Sequence, residues 1–387
     1  MKIMHTSDWH IGKKLVKRSR IEEQRQVLCE IVDLCNSEEI DVLLVSGDIF
    51  DTFIPSADAE EVFFEFLDKL SSPNRCVIFI SGNHDDWQRL SAPSVLASKY
   101  NAYIFGGENT PALGGTGVKA VKSAKNYIEI KKGEEGLFIG VLPYPSELRL
   151  GEKKSDLSYE EKIKEWIDAC FENNTNGYPQ ILCSHLFMLG GEKSESERDI
   201  ELGGARIVDA SVISDKILYT ALGHLHKRQV IKKDKNIIYS GSPLLYSFDE
   251  IGHEKSVTVF EIRVNSVENL RVIKLNSGKK LVKIVANNLE NAKEYLQKYE
   301  DAYVFLTLKL NGVLSESESR ELFGNYPQLV DYKLEINSDY QGVDGEERKN
   351  LSDKELFEEY YKVKNDGASV PQDILEIYLK AVGDEQL

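Results

Sequence analysis

Short apolar runs alternate with amphipathic stretches through the first two thirds of the chain. The runs Lys2–Thr6, Val42–Val45 and Cys76–Ile80 are rich in β-branched residues and predict buried strands. Residues 21–35 and 57–70 repeat apolar side chains at helical spacing and predict amphipathic helices. Strands that alternate with helices in this way predict an α/β fold.

These three predicted strands, and the later apolar runs 181–183 and 219–222, are followed by side chains that commonly bind metals. Asp-x-His follows the first strand, and in extended backbone its two side chains point to the same side. Taken singly, Asp48 could cap a helix and His185 could be a structural histidine. The repetition favours a shared site, because open α/β folds place their sites at strand ends. The candidate ligands are Asp8, His10, Asp48, Asn83, His185, His224 and His226.

This set points to two metals rather than one. It offers nitrogen and oxygen donors without cysteine, and it exceeds the four ligands of a structural zinc site. With one bridging carboxylate it suits two metals about 3.5–4 Å apart, which activate a water and hold a phosphoryl group for in-line attack. His84, next to Asn83, adds a group that titrates near neutral pH. The sequence therefore predicts a binuclear phosphoesterase centre.

Charge and cysteine content limit the remaining possibilities. A net charge of −16 argues against a nucleic-acid partner, but the first 20 residues carry six bases against one acid, so a basic rim could lie beside the site. The five cysteines form no CxxC pair and indicate reduced thiols of a cytoplasmic protein. No apolar run approaches the roughly 18 residues of a membrane span, so we expect no membrane association.

The motifs and their order resemble a known family. Asp-x-His, Gly-Asp-x-x-Asp, Gly-Asn-His-Asp and Gly-His-x-His in this order are similar to the calcineurin-like binuclear metallophosphoesterases. Longer stretches resemble the bacterial SbcD nucleases, which are related to archaeal and eukaryotic double-strand-break repair nucleases. These stretches are residues 6–13, 47–53, 82–85 with 89–90, 223–227, 239–243 and 247–250.

The resemblance implies an α/β sandwich of two mixed sheets flanked by helices over residues 1–277. Residues 278–340 are predicted to alternate strands and helices, and they contain no chemical motif. The resemblance implies that they form an α+β capping domain that positions DNA. The alternative is an inert structural appendage. Residues 341–387 contain a polar linker and two predicted helices, with too little core to fold alone. The resemblance implies that this tail docks on the coiled-coil base of SbcC, whereas docking on its own body is the alternative.

The resemblance also assigns roles to the candidate ligands. It implies one manganese held by Asp8, His10, Asp48 and His226, and a second held by Asp48, Asn83, His185 and His224, with Asp48 bridging. His84 would not ligate but would donate a proton to the leaving 3′ oxygen. Asp51 would orient His84. The archaeal and eukaryotic nucleases typically carry histidine at the position of Asp51, which places this chain in the bacterial branch.

The function implied is a manganese-dependent DNA nuclease. It would act with an SbcC-type ATPase as a 3′-to-5′ double-strand exonuclease and a single-strand or hairpin endonuclease. The absence of a GxxxxGK[ST] loop from the sequence agrees with ATP use by the partner. A homodimer within a heterotetramer is implied, through helices that flank the metal motifs, and the candidate helices are residues 56–70 and 86–96. The alternatives are a small-molecule phosphodiesterase or phosphatase, which would share all seven ligands, and a non-catalytic DNA-end scaffold.

Overall fold

The computed structural model describes residues 1–107, 109–146, 157–197, 206–310, 312, 314–336, 352–365 and 368–382, so the predicted linker over 341–349 lies outside the described residues. The strands β1 to β18 are Lys2–Thr6, Val42–Val45, Cys76–Ile80, Ala102–Phe105, Lys119–Ala124, Tyr127–Lys132, Glu135–Leu142, Gln180–His185, Phe187–Met188, Ile207–Val208, Ile217–Gly223, Gln229–Lys232, Ile237–Tyr239, Ser256–Arg263, Ser266–Lys274, Lys280–Ala286, Ala302–Leu310 and Leu329–Ile336. The helices α1 to α9 are Ile21–Ser37, Ala57–Leu70, Trp87–Ser91, Ser94–Ala97, Tyr159–Phe171, Leu289–Lys298, Glu316–Asn325, Asp353–Lys364 and Gln372–Val382.

Two sheets face one another and share a core. One has the strand order β15-β14-β1-β2-β3-β4, and the other β12-β13-β11-β8-β7-β6-β5. Apolar side chains from both sheets, among them Ile78 and Ile181, are fully buried between them. Helices α1 and α2 pack on the outer side of the first sheet, and α5 packs on the outer side of the second. The predicted sandwich of two mixed sheets flanked by helices is therefore confirmed.

Parallel pairing brings the ends of several strands to one edge. Strands β1, β2 and β3 run parallel, with Thr6 opposite Val45 and Leu44 opposite Ile78. In the second sheet β8 and β11 run parallel until Gly223 lies opposite His185. The two edges touch, because Gly223 packs so closely on Ser46 that a Cβ would lie 1.8 Å from the Ser46 carbonyl oxygen. The candidate ligands of both sheets are thus delivered to one place.

A smaller three-stranded parallel sheet, β16-β17-β18, has its own core with α6 and α7. It contacts the sandwich through an apolar cluster that includes Leu15 and Phe248 on one side and Leu281 and Val330 on the other. Arg18 also donates from Nη2 to the Leu329 carbonyl at 2.9 Å. This sheet lies within the range predicted for the capping domain, and the exact domain boundaries stay a prediction.

Two helices form the described part of the tail. Helix α8 begins at a capping box of Ser352 and Glu355, and it pairs with α9 through stacked rings of Phe357 and Tyr378, whose centroids lie 3.9 Å apart. The exposed side chain of Ile377 shows that the pair does not cover all of its own apolar surface. Among the described residues, no helix is both long and apolar enough to cross a membrane.

The structure corrects one predicted element of the sandwich. The candidate helix over 86–96 is two short helices, α3 and α4, because Pro93 lacks the N–H that a continuous helix would need. Asp86 caps the first by accepting from the backbone amides of Gln88 and Arg89. Strands β12 to β15 had no sequence prediction.

Candidate metal centre

The seven candidate ligands lie at or just after the ends of β1, β2, β3, β8 and β11 at the shared edge. Four of them have positive φ, which is rare for residues other than glycine: Asp8 (52°), His10 (43°), Asp48 (49°) and His224 (108°). Such conformations persist only where the surrounding structure imposes them, and they concentrate at functional sites. The backbone here is shaped to present side chains rather than to continue a regular element.

One group consists of Asp8, His10 and His226, all buried, with one donor atom of each within 4.8 Å of the others. Nε2 of His10 and Nε2 of His226 lie 2.9 Å apart. Nδ1 of His10 faces Oδ1 of Asp51 at 3.5 Å. A carboxylate beside Nδ1 favours the tautomer protonated there, which leaves the Nε2 lone pair directed at His226.

The second group consists of Asp48, His185 and His224, again with donor atoms within 4.8 Å. The amide oxygen of Asn83 lies 2.9 Å from Nε2 of His185 and 3.1 Å from Nδ1 of His224. Nδ1 of His185 faces the Ser46 carbonyl at 2.9 Å, and a carbonyl only accepts, so that nitrogen carries a proton. When the His185 ring is neutral, its Nε2 lone pair therefore faces the amide oxygen of Asn83.

Asp48 stands between the two groups. Its Oδ2 lies 3.6 Å from Nε2 of His10 and 3.5 Å from Nε2 of His185. Its Oδ1 accepts from the backbone amide of His84 at 2.8 Å, which fixes the carboxylate in place. This is the position that a bridging ligand requires.

The donor set fits divalent cations. The Nε2 atoms of His10 and His226 face one another across 2.9 Å, which requires a proton or a metal between them. Four imidazoles with carboxylate and amide oxygens suit borderline divalent metals. Burial lowers the pKa of His185, but the charge of Asp48 more than offsets it and raises that pKa to about 9. The centre thus attracts positive charge.

Burial shifts the pKa values of the carboxylates and the histidines in opposite directions. Burial raises the pKa of Asp8 to about 6 and lowers the pKa of His10 to about 3, since each loses its hydration when charged. Burial also works to raise the pKa of Asp48, but His185 and His84 hold it well below its usual range.

His84 lies beside both groups, and its ring centroid is 4.6 Å from that of His10. Its Nδ1 faces the backbone carbonyl of Asp51 at 2.8 Å, whereas the Asp51 carboxylate is 3.8 Å from the same nitrogen. That carboxylate accepts a hydrogen bond from Nζ of Lys13 at 2.9 Å. The shortest contact that orients His84 therefore comes from the main chain of Asp51, while its side chain adds negative charge nearby. His84, His10 and Asp48 also form a possible metal-binding group of their own.

Sequence reasoning gave no role to two buried carboxylates. Asp85 accepts from the backbone amides of Ile49, Phe50 and Gly82 and ties the ends of β2 and β3 together. The feature of the sequence that could have identified Asp85 is its place in the Gly-Asn-His-Asp motif. Glu250 lies behind His226 and pairs with Lys255 at 2.6 Å. Burial works to raise the pKa of Glu250, but the Lys255 ammonium and His226 hold it well below the usual range.

Sequence comparisons identify the family to which this chain belongs. Residues 1–228 match the model of the calcineurin-like phosphoesterase family, and the chain belongs to that family. More specifically, it is 35% identical over 393 aligned residues to the SbcD component of nuclease SbcCD from Bacillus subtilis (strain 168), covering 98% of this chain and 97% of that protein. The resemblance inferred from the motifs is thereby confirmed, and the chain is an SbcD homologue. A dimetal phosphatase from Danio rerio, of known structure, overlaps 72% of this chain and 99% of its own, with 13% identity and a TM-score of 0.40.

Proposed function

We propose that the chain is the metal-dependent nuclease component of an SbcCD-type complex and hydrolyses DNA phosphodiester bonds. The observation that carries this proposal is the pair of donor groups joined by Asp48, with His84 beside them. Full-length similarity to the Bacillus subtilis SbcD nuclease supports DNA as the substrate over a small ester.

The two groups are the proposed metal positions. Asp8, His10, Asp48 and His226 would hold one ion, and Asp48, Asn83, His185 and His224 the other. We propose manganese for both, because nitrogen and oxygen donors without sulfur accept it. Two such ions, when bound, supply an activated water and neutralise charge on the phosphate.

His84 is the proposed proton donor. Its Nδ1 donates to the Asp51 carbonyl, and we propose that Nε2 gives the proton to a leaving 3′ oxygen. That transfer requires the doubly protonated ring. The Asp51 carboxylate 3.8 Å away favours this cation electrostatically. Asp51 is thus proposed to act on His84 through both its main chain and its charge.

Aromatic and basic side chains beside the second group are proposed to contact the DNA. The Phe187 ring lies 5.9 Å from His224, and Nζ of Lys193 lies 4.7 Å from the centre of that ring. Tyr144 lies 6.2 Å from His185, and its hydroxyl accepts from Arg206 at 3.2 Å. Cations suit phosphates and aromatic rings suit bases, a combination typical of single-strand binding.

The described surface offers two places for protein partners. Ile377 on α9 and Tyr360 on α8 are exposed, and we propose that this helix pair binds an SbcC-type ATPase. Three exposed apolar side chains lie within α4 or just before α2, namely Val95, Leu96 and Ile54. We propose that they make homodimer contacts within a heterotetramer. Analytical ultracentrifugation of Leu96→Asp should yield monomer if the second proposal holds, whereas an unchanged dimer would reject it.

Cleavage by the purified chain with manganese tests the proposed activity. The substrates are a blunt duplex, a DNA hairpin and p-nitrophenyl phosphate, each with and without the SbcC partner and ATP. DNA cleavage that Asp48→Ala abolishes is the expected result. Turnover of the small ester with DNA left intact would favour the phosphatase alternative. Bound metal without any cleavage would favour the DNA-end scaffold.

A further inference from the structure

Segment 192–197 covers the outer side of His226, although it is distant in sequence. Oγ of Ser196 lies 2.5 Å from Nδ1 of His226 and 2.5 Å from Oε1 of Glu250. Glu250 is fully buried, and its other oxygen accepts from the Lys255 ammonium at 2.6 Å. A carboxylate paired with an ammonium at this distance is ionised and can only accept hydrogen bonds.

These contacts determine the direction of each proton. The Ser196 hydroxyl has one hydrogen, and Glu250 cannot donate, so the hydroxyl donates to Glu250. Its oxygen then has only lone pairs for His226, so Nδ1 of His226 must donate to Ser196. Nε2, the nitrogen that faces His10, is left with its lone pair.

The main chain of His226 is held from the same side. Its amide donates to Oε1 of Glu197 at 2.6 Å. Its carbonyl accepts from Nζ of Lys255 at 2.9 Å and from the Ser242 amide at 3.1 Å. Ring, amide and carbonyl are therefore all fixed, two of them by the segment that carries Ser196 and Glu197.

The segment is itself attached at two points. Gln229 binds Glu192 reciprocally, accepting from its amide at 2.9 Å and donating to its carbonyl at 3.0 Å. The Glu195 amide donates to Asp249 at 2.7 Å. The side chain of Glu192, by contrast, is exposed and pairs with the exposed side chain of Lys227.

We infer that Ser196 is a positioning residue for His226: it relays the buried negative charge of Glu250 to Nδ1 and so keeps Nε2 available as a ligand. This inference rests on the proposed binuclear centre for its consequence, but the hydrogen-bond arrangement exists independently of any metal. Partners of this kind typically change metal affinity 10- to 100-fold when removed.

The test compares three variants of the full chain by calorimetric titration of metal-stripped protein with Mn²⁺. Ser196→Ala removes the relay, Ser196→Thr keeps the hydroxyl, and Glu192→Gln is a control on the same segment. We expect two binding events in the parent chain and a 10- to 100-fold weaker affinity at one of them in Ser196→Ala. Ser196→Thr should remain within about threefold of the parent, as should Glu192→Gln. Unchanged affinities in Ser196→Ala would overturn the inference.

A second measurement needs no metal and determines the state of His226 in the parent chain. Selective ¹⁵N labelling of the seven histidines allows their tautomers to be determined by NMR in the parent chain. We expect His226, assigned by its absence in His226→Gln, to carry its proton on Nδ1. A proton on Nε2 alone would overturn the inference even if two metals bind. Failure of the parent chain to bind two metals would reject the proposed function, whereas a proton on Nε2 alone would reject the inference without bearing on the metals.

Discussion

His84 provides the sharpest test of how the centre works, because its geometry allows two roles. It could donate a proton from Nε2, or it could join His10 and Asp48 as a metal ligand. The contact that fixes Asp48 comes from the backbone amide of His84, not from its ring. His84→Ala therefore removes the imidazole while retaining the hydrogen bond that holds the bridging carboxylate.

The proton-donor role sets the size of the expected effect. Loss of a positioned general acid lowers the rate about 10²- to 10⁴-fold, which corresponds to about 3–5 kcal/mol of transition-state stabilisation. The loss should depend on the leaving group. A DNA 3′ oxygen needs a proton, whereas p-nitrophenolate leaves without one. For thymidine 5′-p-nitrophenyl phosphate we therefore expect His84→Ala to slow turnover less than about tenfold.

The assay measures single-turnover rates on a DNA duplex and on that ester, together with Mn²⁺ stoichiometry. His253→Ala is the matched control, because His253 lies outside the candidate ligand set and belongs to no motif. A loss of one metal in His84→Ala would show that His84 is a ligand. Equal slowing of both substrates with both metals retained would refute proton donation.

Four further outcomes follow from the structure. Glu250→Ala leaves the buried Lys255 ammonium without its carboxylate partner and should lower the free energy of unfolding by about 3–5 kcal/mol in urea titrations, whereas the exposed Glu254→Ala should leave it almost unchanged. Leu306→Ala empties a fully buried position in the smaller sheet and should cost about 2–5 kcal/mol, measured by hydrogen exchange of that sheet. Burial opposes ionisation of Glu23, but Arg20 holds the pKa of Glu23 below the usual value. Glu23 therefore stabilises the folded chain at pH values above its pKa in the unfolded chain, and this stabilisation is lost as the pH falls through its pKa in the folded chain. The stability gap between the parent chain and Glu23→Gln should accordingly narrow as the pH falls below 4.5, and a gap that does not change with pH would contradict this. Chelation with EDTA should abolish cleavage and lower the melting temperature, because ions that bind only the folded chain stabilise it.

The sequence predicted the strands that carry the ligands because their signals are local. The predicted helix over 57–70 forms as Ala57–Leu70, and the strand at Cys76–Ile80 forms as predicted. The predicted strands end at turns marked by glycine or a polar residue. Residue types that bind metals could therefore be recognised directly after them. At Gly82 the reason is steric, since a Cβ would lie 2.0 Å from Oδ1 of Asp48.

The outer contacts of the centre could not be recognised in this way, because they join segments far apart in the chain. Ser196 and Glu250 are 54 positions apart, and neither shows a periodic pattern that points to His226. Strands β12 and β13 were also unpredicted. Their short length and their polar flanks give little periodicity, and they are specified by pairing with β11.

The strained backbone of the ligands explains why the two donor groups cannot be independent. Each positive-φ residue costs about 1–3 kcal/mol, which neighbouring contacts must offset. The Asp8 amide donates to the Gly47 carbonyl at 3.0 Å, and the His10 amide donates to the Asp48 carbonyl at 2.9 Å. Oδ1 of Asp8 in turn accepts from the amide of His224 at 2.9 Å. Asp8 of one group thus holds the main chain of His224 in the other, so removing the Asp8 carboxylate should disturb both proposed metal positions.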